Sequence, residues 1–122
     1  MQKARIAREA LEFAIEASRA THPNEFIGLM REEEGLITSI LIIPGSTSGE
    51  DFSQYDPFQA PLISDSCGVF HSHPVPDNSP SGADLGLFTK SGKIHAIIAY
   101  PYSEKTVQFY DGRGKKLDFE IL

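Results

Sequence analysis

The chain has 122 residues and is close to the globular average in composition, with 40% hydrophobic, 23% charged and 10% aromatic residues. Such a composition excludes disordered, collagen-like and coiled-coil chains and predicts one domain over residues 1–122. The formal net charge of -6 disfavours nucleic acid and anionic membrane as partners, because phosphate attracts clustered Lys and Arg. Only Lys115-Lys116 comes near such a cluster, and it reads as a solvated pair. The single cysteine, Cys67, cannot form an intramolecular disulfide. No apolar run approaches the roughly 18 residues that span a bilayer. Charged Arg5, Arg8, Glu9 and Glu12 break up the N-terminus, unlike a signal peptide, so the expected compartment is the cytoplasm.

Apolar residues recur from Ala4 to Arg19 at Ile6/Ala7, Ala10/Leu11, Ala14 and Ala17, a spacing that predicts one amphipathic helix. It should end near Ala20, since Pro23 drives His22 out of the α region. Glu25 to Met30 and Leu36 to Ile43 read as a hairpin of buried strands around a charged turn, Arg31 to Gly35. Pro44 to Ser66 reads as a long loop with one short strand at Phe52 to Tyr55, of the kind that is usually functional or mobile. Cys67 to His73 is a further strand, and Pro74 to Pro80 a tight loop. Ser81 to Lys90 reads as a second helix with Leu85 and Phe88 on its inner side, stopped by Ser91-Gly92. The remainder alternates strands and turns: Ile94 to Tyr100, Thr106 to Tyr110, an Asp111-Gly-Arg-Gly114 turn, and Leu117 to Leu122. The order predicts an α/β domain with a mixed, curved sheet between two helices.

Chemistry concentrates in His71-Ser-His73-Pro-Val-Pro-Asp-Asn-Ser-Pro-Ser81-Gly-Ala-Asp84. On a strand, His71 and His73 project to one face while Ser72 turns away. Two imidazoles and the Asp84 carboxylate make three metal ligands; zinc prefers four, and a site with a vacant position suits catalysis. Each residue also has a plainer reading. The histidines could form a cross-strand polar pair, and Ser81 with Asp84 fits a helix cap. Glu25 opens an otherwise apolar strand, either as a proton carrier at a polar cleft or as a solvated strand-edge glutamate. His22 and His95 read as ordinary histidines, and Glu32-Glu33-Glu34 as a solvated turn.

His71-x-His73, seven residues, then Ser81-x-x-Asp84, with Pro23-x-Glu25-x-x-Gly28-x-Met30 upstream, resembles the JAMM motif of MPN-domain metalloproteases. The resemblance covers most of the chain, and no motif position is missing, whereas inactive MPN scaffolds typically lack some. It implies the cytidine-deaminase-like MPN fold and one Zn²⁺ per chain on His71, His73 and Asp84. It further implies Glu25 as general base and Ser81 as a donor to the oxyanion or the water. The implied substrate is an isopeptide or peptide bond after the Gly-Gly tail of a ubiquitin-like protein or a sulfur-carrier precursor. A non-catalytic MPN scaffold with a structural metal is the alternative from another class, and a homodimer stays open. The His-x-Glu and Pro-Cys-x-x-Cys elements of the zinc deaminases are absent. An extended tail should lie along an exposed sheet edge, flanked by the Pro44 to Ser66 loop.

Overall fold

The computed structural model describes residues 3–42, 66–89 and 92–122. The Pro44 to Ser66 loop, with its short strand at Phe52 to Tyr55 and its role beside a substrate channel, lies outside them apart from Ser66, as do Lys90 and Ser91.

The N-terminus departs from expectation. Lys3–Ile6 is a strand (β1), and the helix (α1) spans Arg8–Thr21. Ala4 and Ile6 alternate with exposed Lys3 and Arg5, and this period of two pairs β1 in parallel with the last strand, from Lys3 beside Asp118 to Ile6 beside Ile121. The partner lies more than a hundred residues away, so the local pattern could be read as the first turn of a helix. α1 then buries Ala10, Leu11, Ala14 and Ser18 along one stripe. It ends at Thr21, and His22 takes an extended ψ of 135° before Pro23, as the proline requires.

The hairpin forms as expected but runs further. β2 is Ile27–Glu33 and β3 is Leu36–Ile42, so Arg31 to Glu33 belong to the strand. The turn shrinks to Glu34 (φ 51°) and Gly35 (φ 83°), both left-handed, as a two-residue connection that matches strand twist demands.

β4 (Gly68–His73) lies between β2, antiparallel, and β5 (Ile94–Ala99), parallel. A parallel pair needs a crossover, and this one carries the second helix, α2 (Gly82–Phe88). β6 (Val107–Asp111) and β7 (Lys116–Ile121) complete an antiparallel run that returns to β1. The strand order β1-β3-β2-β4-β5-β6-β7 closes on itself. Among the described residues β3 pairs with β1 only at Ile37.

The two faces of β5 show the layering. Ala96 and Ile98 join α1's Ala10, Leu11 and Ala14 with Met30 and Phe70 in the main core, while Ile97 joins Phe88 of α2 and Tyr110 on the other side. This is the expected mixed sheet between two helices, curved to closure. Gly68 lets β4 begin hard against β5, since a Cβ there would overlap the Ile94 carbonyl oxygen. α2 is shorter than expected and buries Asp84 and Phe88, one turn apart; Leu85 is 38% exposed and not on the inner face. Seven residues offer one narrow stripe, and position 85 lies a step around from it. No helix among the described residues is long and apolar enough to cross a membrane.

Candidate metal centre

Strand alternation puts His71 and His73 on the face of β4 that α2 covers, opposite buried Phe70 and Ser72. Ser72 points the other way and anchors the start of β2: its Oγ accepts the Phe26 N–H (2.8 Å) and its own N–H donates to the Phe26 carbonyl (2.9 Å). Glu25 is thereby carried to the end of β4, with the parity of Ile27, which pairs with His71.

Three side chains converge. Nε2 of His71 lies 3.1 Å from Oδ1 of Asp84, Nε2 of His73 lies 3.1 Å from Oδ2, and the two Nε2 atoms are 3.2 Å apart. Tetrahedral ligands with bonds of 2.0–2.1 Å would be about 3.3 Å from one another. The His73 tautomer sharpens the point. Its Nδ1 is 2.9 Å from the Asp77 carbonyl oxygen, which can only accept, so the neutral ring carries its proton there and turns the Nε2 lone pair toward the carboxylate. Lone pair facing lone pair at this range requires a cation between them, either a proton or a metal. A carboxylate oxygen of Glu25 joins both imidazoles in a group whose ligand atoms all lie within 4.8 Å of one another. The donor set of two imidazoles and carboxylate oxygens suits zinc.

The electrostatics agree. Burial alone would lower the His73 pKa, but the Asp84 carboxylate, the Asp77 carbonyl and the Glu25 charge together raise it. Burial works against the Asp84 anion too, yet hydrogen bonds from both histidines and the Ser81 N–H hold its carboxyl well below the usual range. Asp84 is thus held as an anion facing both imidazoles.

Ser81 and Asp84 also form the cap that their spacing suggested. The Ser81 N–H donates to Asp84 Oδ2 (2.8 Å), and the Asp84 N–H donates to Ser81 Oγ (3.1 Å). Ser81 reaches the cluster through Asp84, so the cap and the ligand position are one structure.

His95 is an ordinary core histidine. It accepts the Val69 N–H at Nδ1, donates from Nε2 to the Gly92 carbonyl and stacks on Phe88 at 4.2 Å, and burial pulls its pKa down to about 4. Burial, with the Glu32 charge, pushes the Cys67 thiol up to about 12. His22, expected to be unremarkable, pairs with the Tyr102 hydroxyl at 2.7 Å. Neither Tyr102 nor the Asp77 carbonyl was marked by any sequence signal, since one acts from a turn and the other through its backbone.

A mixed sheet between two helices, with a His-x-His strand facing an aspartate in the next helix's first turn, defines a metal-binding domain of the JAMM class. The chain matches the family of prokaryotic homologs of the JAB domain over residues 7–111, and it belongs to that family. It is 39% identical to a probable metalloprotease of Haloferax volcanii, across 96% of this chain and 78% of that one. Among solved structures it is similar to a JAB1/MPN domain protein from Archaeoglobus fulgidus (30% identity, 100% of this chain and 99% of that one, TM-score 0.78). A structure described as a JAMM metalloprotease-like zinc site in the proteasome and signalosome matches equally well, at 30% identity over 99% of both chains with a TM-score of 0.78. A Desulfitobacterium hafniense protein, at 21% identity, covering 97% of this chain and 92% of its own with a TM-score of 0.62, shares the fold.

Proposed function

We propose that this chain is a zinc-dependent peptidase that cleaves the isopeptide or peptide bond following the Gly-Gly tail of a ubiquitin-like modifier or sulfur-carrier precursor. The carrying observation is the triangle of His71, His73 and Asp84 acceptors at 3.1–3.2 Å, with the His73 proton committed to Asp77. His71, His73 and Asp84 would hold the metal. Zinc supplies Lewis acidity, which brings the ionisation of water from pKa 15.7 to about 7.

The protein's own groups do the rest. The Glu25 carboxylate takes a proton from the attacking water and returns it to the departing amine, which must leave neutral. Ser81 Oγ already accepts the Asp84 N–H, so its own proton is free to donate to the carbonyl oxygen as negative charge develops there. Val75 and Tyr100, 52% and 45% exposed, supply apolar surface next to His73, where the Tyr100 N–H is bonded to the His73 carbonyl. The relative named a probable metalloprotease supports the reaction class. The narrow Gly-Gly specificity rests on the motif's resemblance.

The test is metal analysis of purified protein together with cleavage of a Gly-Gly-tailed fusion, with and without chelator. The reading expects near one zinc per chain and cleavage that chelator abolishes and zinc restores. Full activity in chelator would overturn it, and metal binding with no cleavage of any tailed substrate would leave the scaffold reading.

A further inference from the structure

The residues between β5 and β6, 100–106, hold no group assigned to the metal, the proton transfer or the oxyanion, yet both walls of the metal centre are bonded to them. On one side the Tyr100 N–H is shared between the carbonyls of His73 (3.1 Å) and Val75 (3.2 Å), and Asn78 Nδ2 donates to the Thr106 carbonyl (2.9 Å). The Asn78 carbonyl in turn accepts the Tyr110 hydroxyl at 2.6 Å. These bonds fix the loop whose Asp77 carbonyl sets the His73 proton. On the other side the Tyr102 hydroxyl meets Nδ1 of His22, three residues before Glu25, and the His22 ring packs on Tyr100 and edge-on to Tyr102, with centroids 5.1 and 5.6 Å away. Arg19 adds a bond to the Tyr102 carbonyl (3.1 Å).

The turn is built to be stiff. Tyr102 N–H donates to Ala99, Thr106 N–H to Ser103, and the Ser103 N–H to Thr106 Oγ1. Tyr102 is 2% exposed and sits at φ 64°, a left-handed conformation that is strained for a bulky residue. Strain of this kind persists where the surroundings over-determine it, and it gathers at sites that need a fixed geometry. Filling space explains the ring, but it does not explain a hydroxyl aimed at the loop that carries Glu25.

We infer that this turn is a positioning clamp that sets the distance between the Glu25 loop, through Tyr102 and His22, and the His73 loop, through Asn78. The inference rests on the metal-centre assignment above and adds two positioning residues to it. Because the two arms end on different walls, they should fail separately. Tyr102 governs the placement of the proton carrier, and Asn78 governs the orientation of a ligand.

The experiment compares the full-length chain with Tyr102→Phe, which keeps the ring, and Asn78→Ala, using three readouts: zinc affinity by chelator competition, hydrogen exchange by segment, and kcat and KM on a Gly-Gly-tailed fusion. Tyr102→Phe should lower kcat about tenfold with KM and zinc affinity unchanged, and speed exchange in 22–26 but not in 74–78. Asn78→Ala should weaken zinc binding roughly tenfold and speed exchange in 74–78 but not in 22–26. Tyr110→Phe, which frees only the Asn78 carbonyl, repeats the second arm if Asn78→Ala does not fold. Unchanged exchange and affinity in both arms would overturn the clamp, as would both segments loosening together in each variant, the mark of general destabilisation. If wild-type protein cleaves nothing, the proposed function fails while affinity and exchange still decide on the clamp.

Discussion

Acidification should destabilise the metal-free protein through His95, and the size of the effect follows from its surroundings. The ring is fully buried, stacked on Phe88, and its Nδ1 is occupied by the Val69 N–H, so the folded state has no place for a second proton. Unfolded, the imidazole titrates near 6.5; folded, it titrates near 4. Above pH 6.5 neither state is charged and His95 makes no pH-dependent contribution. Below it the unfolded chain takes up a proton that the folded chain refuses, so stability drains away between pH 6.5 and pH 4. At 1.36 kcal/mol per pH unit the loss reaches about 2 kcal/mol at pH 5 and about 3 kcal/mol below pH 4. His73 acts oppositely, because its raised folded pKa favours the folded state as pH falls, and Asp84 begins to lose stability only as the pH enters the ordinary carboxylate range, below the interval compared. Both remain in a His95→Gln variant, so comparison cancels them. Urea unfolding in chelator at pH 7 and pH 5 should show wild type losing about 2 kcal/mol more than His95→Gln over that interval. Equal losses in the two proteins would refute the burial argument.

Three further outcomes test the site and its frame. Glu25→Gln should lower turnover by roughly 10²-fold to 10⁴-fold while zinc stoichiometry holds, whereas loss of metal would make Glu25 a ligand instead. Asp84→Asn removes the anion facing both imidazoles, so metal content after dialysis should fall well below that of wild type, and the raised His73 pKa should drop toward its ordinary value in an NMR titration of metal-free protein. Gly68→Ala drives a methyl group into the Ile94 carbonyl and should cost about 3 kcal/mol or more, seen as a fall of several degrees in Tm; an unchanged Tm would mean that β4 and β5 can part without cost.

Much of the architecture could be read locally. The helix stop before Pro23, the hairpin, the His-x-His strand and the Asp-Gly turn all rest on short-range rules that tertiary packing reinforced. β1 was misread because Ala4 and Ile6 fit a period of 2 and the edge of a period of 3.6 equally well; a partner at Phe119 and Ile121 decides between them. The longer reach of β2 was hidden by Arg31 to Glu33, whose charges look like a turn until Glu34 and Gly35 are seen to take both left-handed positions. At the site, the side chains that could ligate a metal were legible because strand parity and helix capping are local. What sets their tautomer and spacing was not, since it is carried by the Asp77 carbonyl and by hydroxyls of Tyr102 and Tyr110 from distant strand ends.

The helix Gly82–Phe88 makes two turns at most, too few to hold its shape in isolation, and its opening turn is pinned by the carboxylate that faces both imidazoles. With a metal held as proposed, loading the centre and winding this helix would be parts of a single equilibrium. Each ion captured should harden the floor beneath Phe88, so that starvation for metal would slacken the protein from this helix outward before any strand gives way.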